Sequence, residues 1–186
     1  IELPSTMTTI NGEAFANCNN MTQFICRATT PPKITGNSAF RESNNTKIKF
    51  GIPESAIDAY LKSDILDENY AQWVNDGNGG SSQTGPKGNG WSFKKEQIVP
   101  YKEITIVGGT VHQNVSVPGY QIEITAGKSP EETSFTHWES EPQNVTFIDS
   151  KATNTFFTMP ESNVTITAVF EKNKPYTIIG ATITKD

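Results

Sequence analysis

Charge is scarce in this sequence. Asp, Glu, Lys and Arg make up 19% of its 186 residues, the formal net charge is -5, and no run of five like charges occurs. Phosphate binding needs a basic patch, so nucleic acid is not among the expected partners. Long apolar runs are missing as well. None approaches the roughly 18 residues that a bilayer-crossing helix needs, so no membrane span is expected. Cysteine is limited to Cys18 and Cys26. Two cysteines make neither a disulfide framework nor a zinc spacing, and they read as small buried apolar side chains or as a single pair. His112 and His137 are the only histidines, which leaves nucleophilic catalysis short of a base. The opening Ile1-Glu2-Leu3-Pro4 has neither an initiator Met nor a signal peptide, as expected of a piece cut from a longer chain with its targeting segment upstream.

What is plentiful is Thr, Asn, Ser and Gly, a mixture that suits short strands joined by many turns. A repeat runs through the first part. Ile10-Asn11-Gly12-Glu13-Ala14-Phe15 returns as Ile34-Thr35-Gly36-Asn37-Ser38-Ala39-Phe40, and Asn19-Asn20 returns as Asn44-Asn45. Each Asn pair leads into a strand-like run, Met21 to Cys26 and Thr46 to Ile52, and Ile1 to Leu3 is a third such run. Strand, turn, short helical segment and return in about 25 residues is the size of a leucine-rich-repeat unit. Such a unit buries its apolar edge only by stacking on a neighbour.

The array is expected to end near Pro53. From Glu54 to Val74 the pattern is helical, with Ile57, Tyr60 and Leu61 on one face, Ser55 as N-cap, and Ile65 and Tyr70 to Val74 continuing as a second short helix. This would cap the last open repeat. Residues 75–89 are rich in Gly, Ser and Asn and read as a mobile loop. Trp91, Phe93, Ile98 and Val99 then return apolar mass before Pro100.

From Lys102 the period becomes two. Ile104 and Ile106, Val111 to Val117, Ile122 to Ala126, Phe135 to Trp138, Val145 to Phe147, Thr153 to Met159 and Val164 to Phe170 read as short strands. Gly108-Gly109 and Pro118-Gly119 supply turns between them. The expected fold is mainly β: a leucine-rich-repeat solenoid end with a helical cap over 1–101, then a small all-β module, sandwich-like or β-grasp-like, over 102–172. Residues 173–186 would be a tail or an extra strand.

The first part resembles the end of a BspA-like leucine-rich-repeat array. The residues that carry this are Leu3-Pro4, Ile10 with Ala14 to Cys18, Thr30-Pro31-Pro32, Ile52-Pro53 leading to Ala59-Tyr60, and Gly90-Trp91-Ser92 with Ile98-Val99-Pro100. The stretch from Asp64 to Asn89 departs from that pattern and reads as an insertion in the cap. The second part resembles the divergent internalin B-type repeat over 103–170. The matching signs are Ile104-Thr105-Ile106, Gly108-Gly109-Thr110, Pro118-Gly119, Phe135 with Trp138, and Phe157-Thr158-Met159-Pro160 followed by Asn163 to Phe170. Neither resemblance implies a catalytic site or a cofactor. Both imply presentation outside a bacterial cell, and the repeat family implies adhesion to host or neighbouring-cell molecules.

Candidate chemistry is thin. His112 and His137 both lie in strand-like runs, and Trp138 beside His137 reads as core. Asp64, Asp67 and Glu68, like Glu131-Glu132, read as solvated carboxylates, because a glycosidase pair would need an aromatic-lined cleft. Asp76-Gly77-Asn78-Gly79-Gly80 has the oxygen content of a calcium loop without its later bidentate Glu, so no metal is expected. Five Asn-x-Ser/Thr triplets, at Asn20, Asn44, Asn114, Asn144 and Asn163, read as chance in an Asn- and Thr-rich chain. Among Trp73, Trp91, Trp138 and Tyr101, only Trp91 beside the Gly-rich loop is a candidate ligand-binding aromatic. The expected function is a non-enzymatic surface or secreted interaction protein with an extracellular protein ligand. The alternative is a carbohydrate-binding module of a larger surface protein, with a glycan as ligand.

Overall fold

A computed structural model describes residues 1–35, 39–40, 48–63, 65–66 and 93–174. The chain is mainly β, arranged in several sheets. The described residues fall into two compact units. One draws on Ile1–Glu103, Val115–Tyr120 and Met159–Asn163; the other draws on Ile104–Asn114, Gln121–Thr158 and the chain from Val164.

In the first unit, β1 (Glu2–Leu3), β3 (Gln23–Cys26), β5 (Lys49–Ile52) and β6 (Ile98–Pro100) form one parallel sheet in chain order. A second parallel pair joins β2 (Thr9–Asn11) to β4 (Lys33–Thr35), with Ile10 opposite Ile34 and Asn11 opposite Thr35. Residues that recur in the sequence therefore stack on one another. Phe24 lies opposite Phe50, their rings stacked at 5.0 Å, and Phe15 stacks on Phe40 at 5.5 Å. Thr35 donates a hydrogen bond to its counterpart Asn11 at 2.7 Å. Phe93 joins these rings at 4.7 Å from Phe50, and Leu3, Ile10, Ile34, Ile48 and Ile52 complete the core.

The local conformations differ from the sequence reading in three places. The segment expected to be helical within the first repeat is a run of turns over residues 12–17, and the return is the short parallel pair β2–β4. The cap helix is brief: a 3-10 turn at Glu54–Ala56 runs into α1 (Ile57–Tyr60). Ser55 is not its N-cap, since Pro53 precedes the first turn and no side chain caps either segment. Beyond it, Ile65 is buried in a turn and Leu66 bridges to Phe93; Tyr70 to Val74, the rest of the expected second helix, lie outside the described residues. Tyr60 anchors this region, its hydroxyl donating to the Ala28 carbonyl at 2.8 Å and lying within hydrogen-bond reach of the Cys26 thiol, 3.3 Å from Sγ. Cys26 is a buried thiol and Cys18 a half-buried one, so the single-pair reading of the two cysteines does not hold.

The same unit takes in two further segments. The start of β7 (Lys102–Val107) pairs with β9 (Val115–Ser116) through Lys102–Ser116 and Glu103–Val115. Val115, Ser116 and Val117 are buried, and Gln23 Oε1 accepts from Ser116 Oγ at 3.1 Å and from the Val117 amide at 3.3 Å. Tyr120 donates to the Thr22 carbonyl, and Asn163 Oδ1 accepts from the Glu103 amide at 2.9 Å.

The second unit has two sheets. In one, β11 (Thr133–Glu141) is antiparallel to β13 (Val164–Lys172), which runs parallel to β7. In the other, β10 (Gln121–Ala126) lies between β8 (Gly109–Val111) and β12 (Asn154–Thr158), antiparallel to both. Period-two alternation drives Ile104, Ile122, Ile124, Phe157, Val164, Ile166 and Ala168 inward. Trp138 on β11 fills the space between the sheets. It is 2% exposed, and its indole N–H donates to the Ala152 carbonyl at 3.0 Å. Gly108 takes the positive φ (+69°) that the turn needs. Gly109 serves otherwise: a Cβ there would stand 2.6 Å from Trp138 Cη2.

Candidate binding face

The outward side of the β8–β10–β12 sheet is set by the same alternation that builds the core. On β12, Thr155 and Phe157 are buried, so Asn154, Phe156 and Thr158 point to solvent. On β10, Ile122 and Ile124 are buried, so Gln121, Glu123 and Thr125 share that outward side. Residues 146–148 extend the sheet by a short edge. Phe147 bridges Phe157, the Thr158 amide donates to the Thr146 carbonyl at 3.1 Å, and the Ile148 amide donates to the Phe156 carbonyl at 2.9 Å.

Three rows result. Ile148, Phe156 and Glu123 form the central one, Thr146, Thr158 and Gln121 lie on one side, and Asn154, Thr125 and Thr110 lie on the other. Ile148 is 66% exposed and Phe156 37%, and they sit next to each other. An apolar and an aromatic side chain are thus exposed together between two polar rows. Glu123, directly across from Phe156, has no ion pair among the described residues.

The outward side of the other sheet is different. It presents Val107, Thr105, Thr165, Thr167, Glu139 and Glu141, with Val107 48% exposed. A bulge between Phe135 and His137 brings Thr136 Oγ1 to 2.9 Å from His137 Nδ1, while His137 Nε2 lies 3.1 Å from Glu139 Oε1. Hydroxyl, imidazole and carboxylate in sequence have the order of a nucleophilic relay. Here they are close neighbours along one open strand, and the hydroxyl also donates to the Val169 carbonyl at 3.2 Å. The arrangement is what the bulge itself produces.

The other sequence candidates scatter. His112 is exposed in the turn after β8, and Glu131 and Glu132 are exposed in a turn where Glu132 takes φ +59°. Tyr101 is half-buried, its amide donating to the Ile52 carbonyl at 3.0 Å. Asn20, Asn114, Asn144 and Asn163 are exposed, and Asn163 is engaged by the Glu103 amide. Trp91 lies outside the described residues. So do Trp73, Asp64, Asp67, Glu68, Asp76 to Gly80, the 75–89 loop, Asn44 and residues 175–186. Among the described residues no three His, Cys, Asp or Glu side chains converge as metal ligands, and no helix is long and apolar enough to cross a membrane. An open hollow of about 410 Å³ in the first unit is lined by Ile1 and residues 17–22.

Burial is the first cause of the shifted ionisations. It raises the pKa of Tyr60 well above the ordinary phenol value, with the Cys26 hydrogen bond adding to the effect. Burial also raises Tyr101 and Tyr120.

Ile148, Phe156 and Glu123 were not singled out from the sequence. The signal was the adjacent pair Phe156-Phe157, because two neighbouring aromatics in one strand must point to opposite faces.

Residues 103–174 match the family model of the divergent InlB B-repeat domain. The candidate face lies wholly inside this InlB-type stretch. A module of this kind suggests a repeat of a bacterial surface protein. No curated protein and no solved structure matches the chain.

Proposed function

We propose that this chain is a non-enzymatic interaction protein presented at or beyond a bacterial surface, and that it engages an extracellular protein of a host or neighbouring cell. The observation that carries the reading is the InlB-type match over residues 103–174. The outward Ile148–Phe156 pair supports it, since an exposed apolar centre on a sheet is suited to a protein partner. In the same reading residues 1–101 are the end of a BspA-like leucine-rich-repeat array with its cap, and 102–172 are a β spacer that also carries the binding face. The stacking of Phe15 on Phe40 and of Phe24 on Phe50 supports the repeat assignment, because equivalent residues of a solenoid touch their counterparts.

A second reading, a carbohydrate-binding module, draws support from the exposed Phe156 ring amid Thr and Asn side chains. Labelled chain applied to intact cells separates the two. Saturable binding that protease treatment of the cells removes, and periodate oxidation of their glycans leaves, is the expected result. Binding lost to periodate and kept after protease would transfer the function to glycan recognition.

A further inference from the structure

The central row of the candidate face specifies more than an apolar patch. Ile148, Phe156 and Glu123 stand side by side across three neighbouring strands, in hydrogen-bonded register. Side chains paired in this way are about 5 Å apart at Cβ, within reach of one ligand side chain. A group above Phe156 on its Glu123 side meets both an aromatic ring and a carboxylate that has no ion pair among the described residues. An arginine or lysine satisfies both at once, through the ring quadrupole and the ion pair. On the other side Ile148 offers an aliphatic surface that a cation does not need and an apolar side chain does. The flanking Thr146, Thr158, Asn154, Thr125 and Gln121 carry no charge, so the discrimination falls on Glu123.

We propose that this face docks a segment of a protein partner in which a basic residue, placed between Phe156 and Glu123, stands beside an apolar residue placed on Ile148. The proposal rests on the interaction function argued above and names the chemistry of its partner. A nucleic acid is disfavoured by Glu123. A glycan would leave Ile148, the most exposed large apolar side chain among the described residues, facing hydroxyls.

The face is small. Four strands about 4.8 Å apart and three rows along them give on the order of 300 Å², well below the roughly 800 Å² per partner of a stable complex. Binding by this face alone should therefore be weak and in fast exchange, which selects the assay. The probe is a ten-residue peptide alternating threonine with leucine and arginine, titrated into the full chain and followed by amide chemical shifts. Its control replaces each arginine with glutamate. The arginine peptide should move the signals of residues 121–125, 146–148 and 154–158 together and saturate. The glutamate peptide should bind at least tenfold more weakly. Glu123→Lys should exchange that preference, and Ile148→Asp should abolish binding of both, with the dispersion of the remaining signals showing each variant folded. Equal binding of the two peptides, shifts mapping elsewhere, or no shift at millimolar peptide would overturn the proposal. Protease-sensitive cell binding that survives Ile148→Asp would also overturn it while leaving the proposed function standing.

Discussion

Gly109→Ala tests how tightly the second unit is packed. Gly109 opens β8 opposite Ala126 and has no positive φ, so alanine brings no backbone strain of its own. Its Cβ would lie 2.6 Å from Trp138 Cη2, 3.1 Å from Trp138 Cζ3 and 2.8 Å from the Thr125 carbonyl oxygen. One neighbour is backbone in a paired strand and cannot give way alone. The other is an indole held by its bond to Ala152 and packed 5.5 Å from the Phe135 ring. Overpacking of a filled core costs about 1–3 kcal/mol. Weakening the indole hydrogen bond adds about 1 kcal/mol, so the total is on the order of 2–4 kcal/mol. In a chain of this length each kcal/mol lowers Tm by roughly 2–4 °C. Calorimetry should show the affected transition about 5–15 °C lower on that scale. The Trp138 indole signal, assigned with Trp138→Phe, should shift, while Thr110→Ala on the exposed neighbour should change Tm little. If Gly109→Ala melts with the native protein and leaves the indole signal in place, the ring is not held as described.

Other perturbations address the first unit. Phe24→Ala removes the ring that meets Phe15, Phe40, Phe50 and Phe93, and should cost about 3–5 kcal/mol in chemical denaturation; a loss under 1 kcal/mol on the same scale would argue against stacked repeats. Gln23→Ala strips the acceptor from Ser116 Oγ and the Val117 amide, both buried, and should cost about 1–3 kcal/mol. Slower amide exchange at Val117 in that variant would contradict the bond. For Tyr60 the folded state favours the neutral phenol, so its pKa is raised above the unfolded value of 10.0. The resulting stability is fully present below pH 10 and is lost as pH climbs beyond it. Tyr60→Phe should lose about 1 kcal/mol at pH 8 with the Ala28 hydrogen bond, then decline less steeply than wild type between pH 10 and 11; parallel curves would refute the assignment.

Legibility followed the range of the interactions. The period-two runs of β10 and β13 could be read directly, because alternating burial is a local property. The repeat was readable because Phe15 and Phe40 recur as they stack. What was misread is either brief or distant. Ile57, Tyr60 and Leu61 do have helical spacing, but α1 covers only four residues, and the turn before it starts at a proline, leaving Ser55 no capping role. The parallel pairing of β7 with β13 joins residues some sixty positions apart, which no periodicity reports. The candidate face is not legible in the same way, because Ile148 comes next to Phe156 only through the isolated Phe147–Phe157 bridge, a contact ten positions apart that no periodicity reports.

The InlB-type stretch is proposed to carry a protein-binding face centred on Ile148 and Phe156. The most direct test compares saturable binding of the labelled chain to host and bacterial cells with that of the double variant Ile148→Asp, Phe156→Asp, whose side chains point to solvent and whose Tm should stay within a few degrees of wild type. The native chain should show protease-sensitive binding, and the folded double variant should lose it by tenfold or more. Equal binding by the two proteins, or none by the native chain, would contradict the proposal.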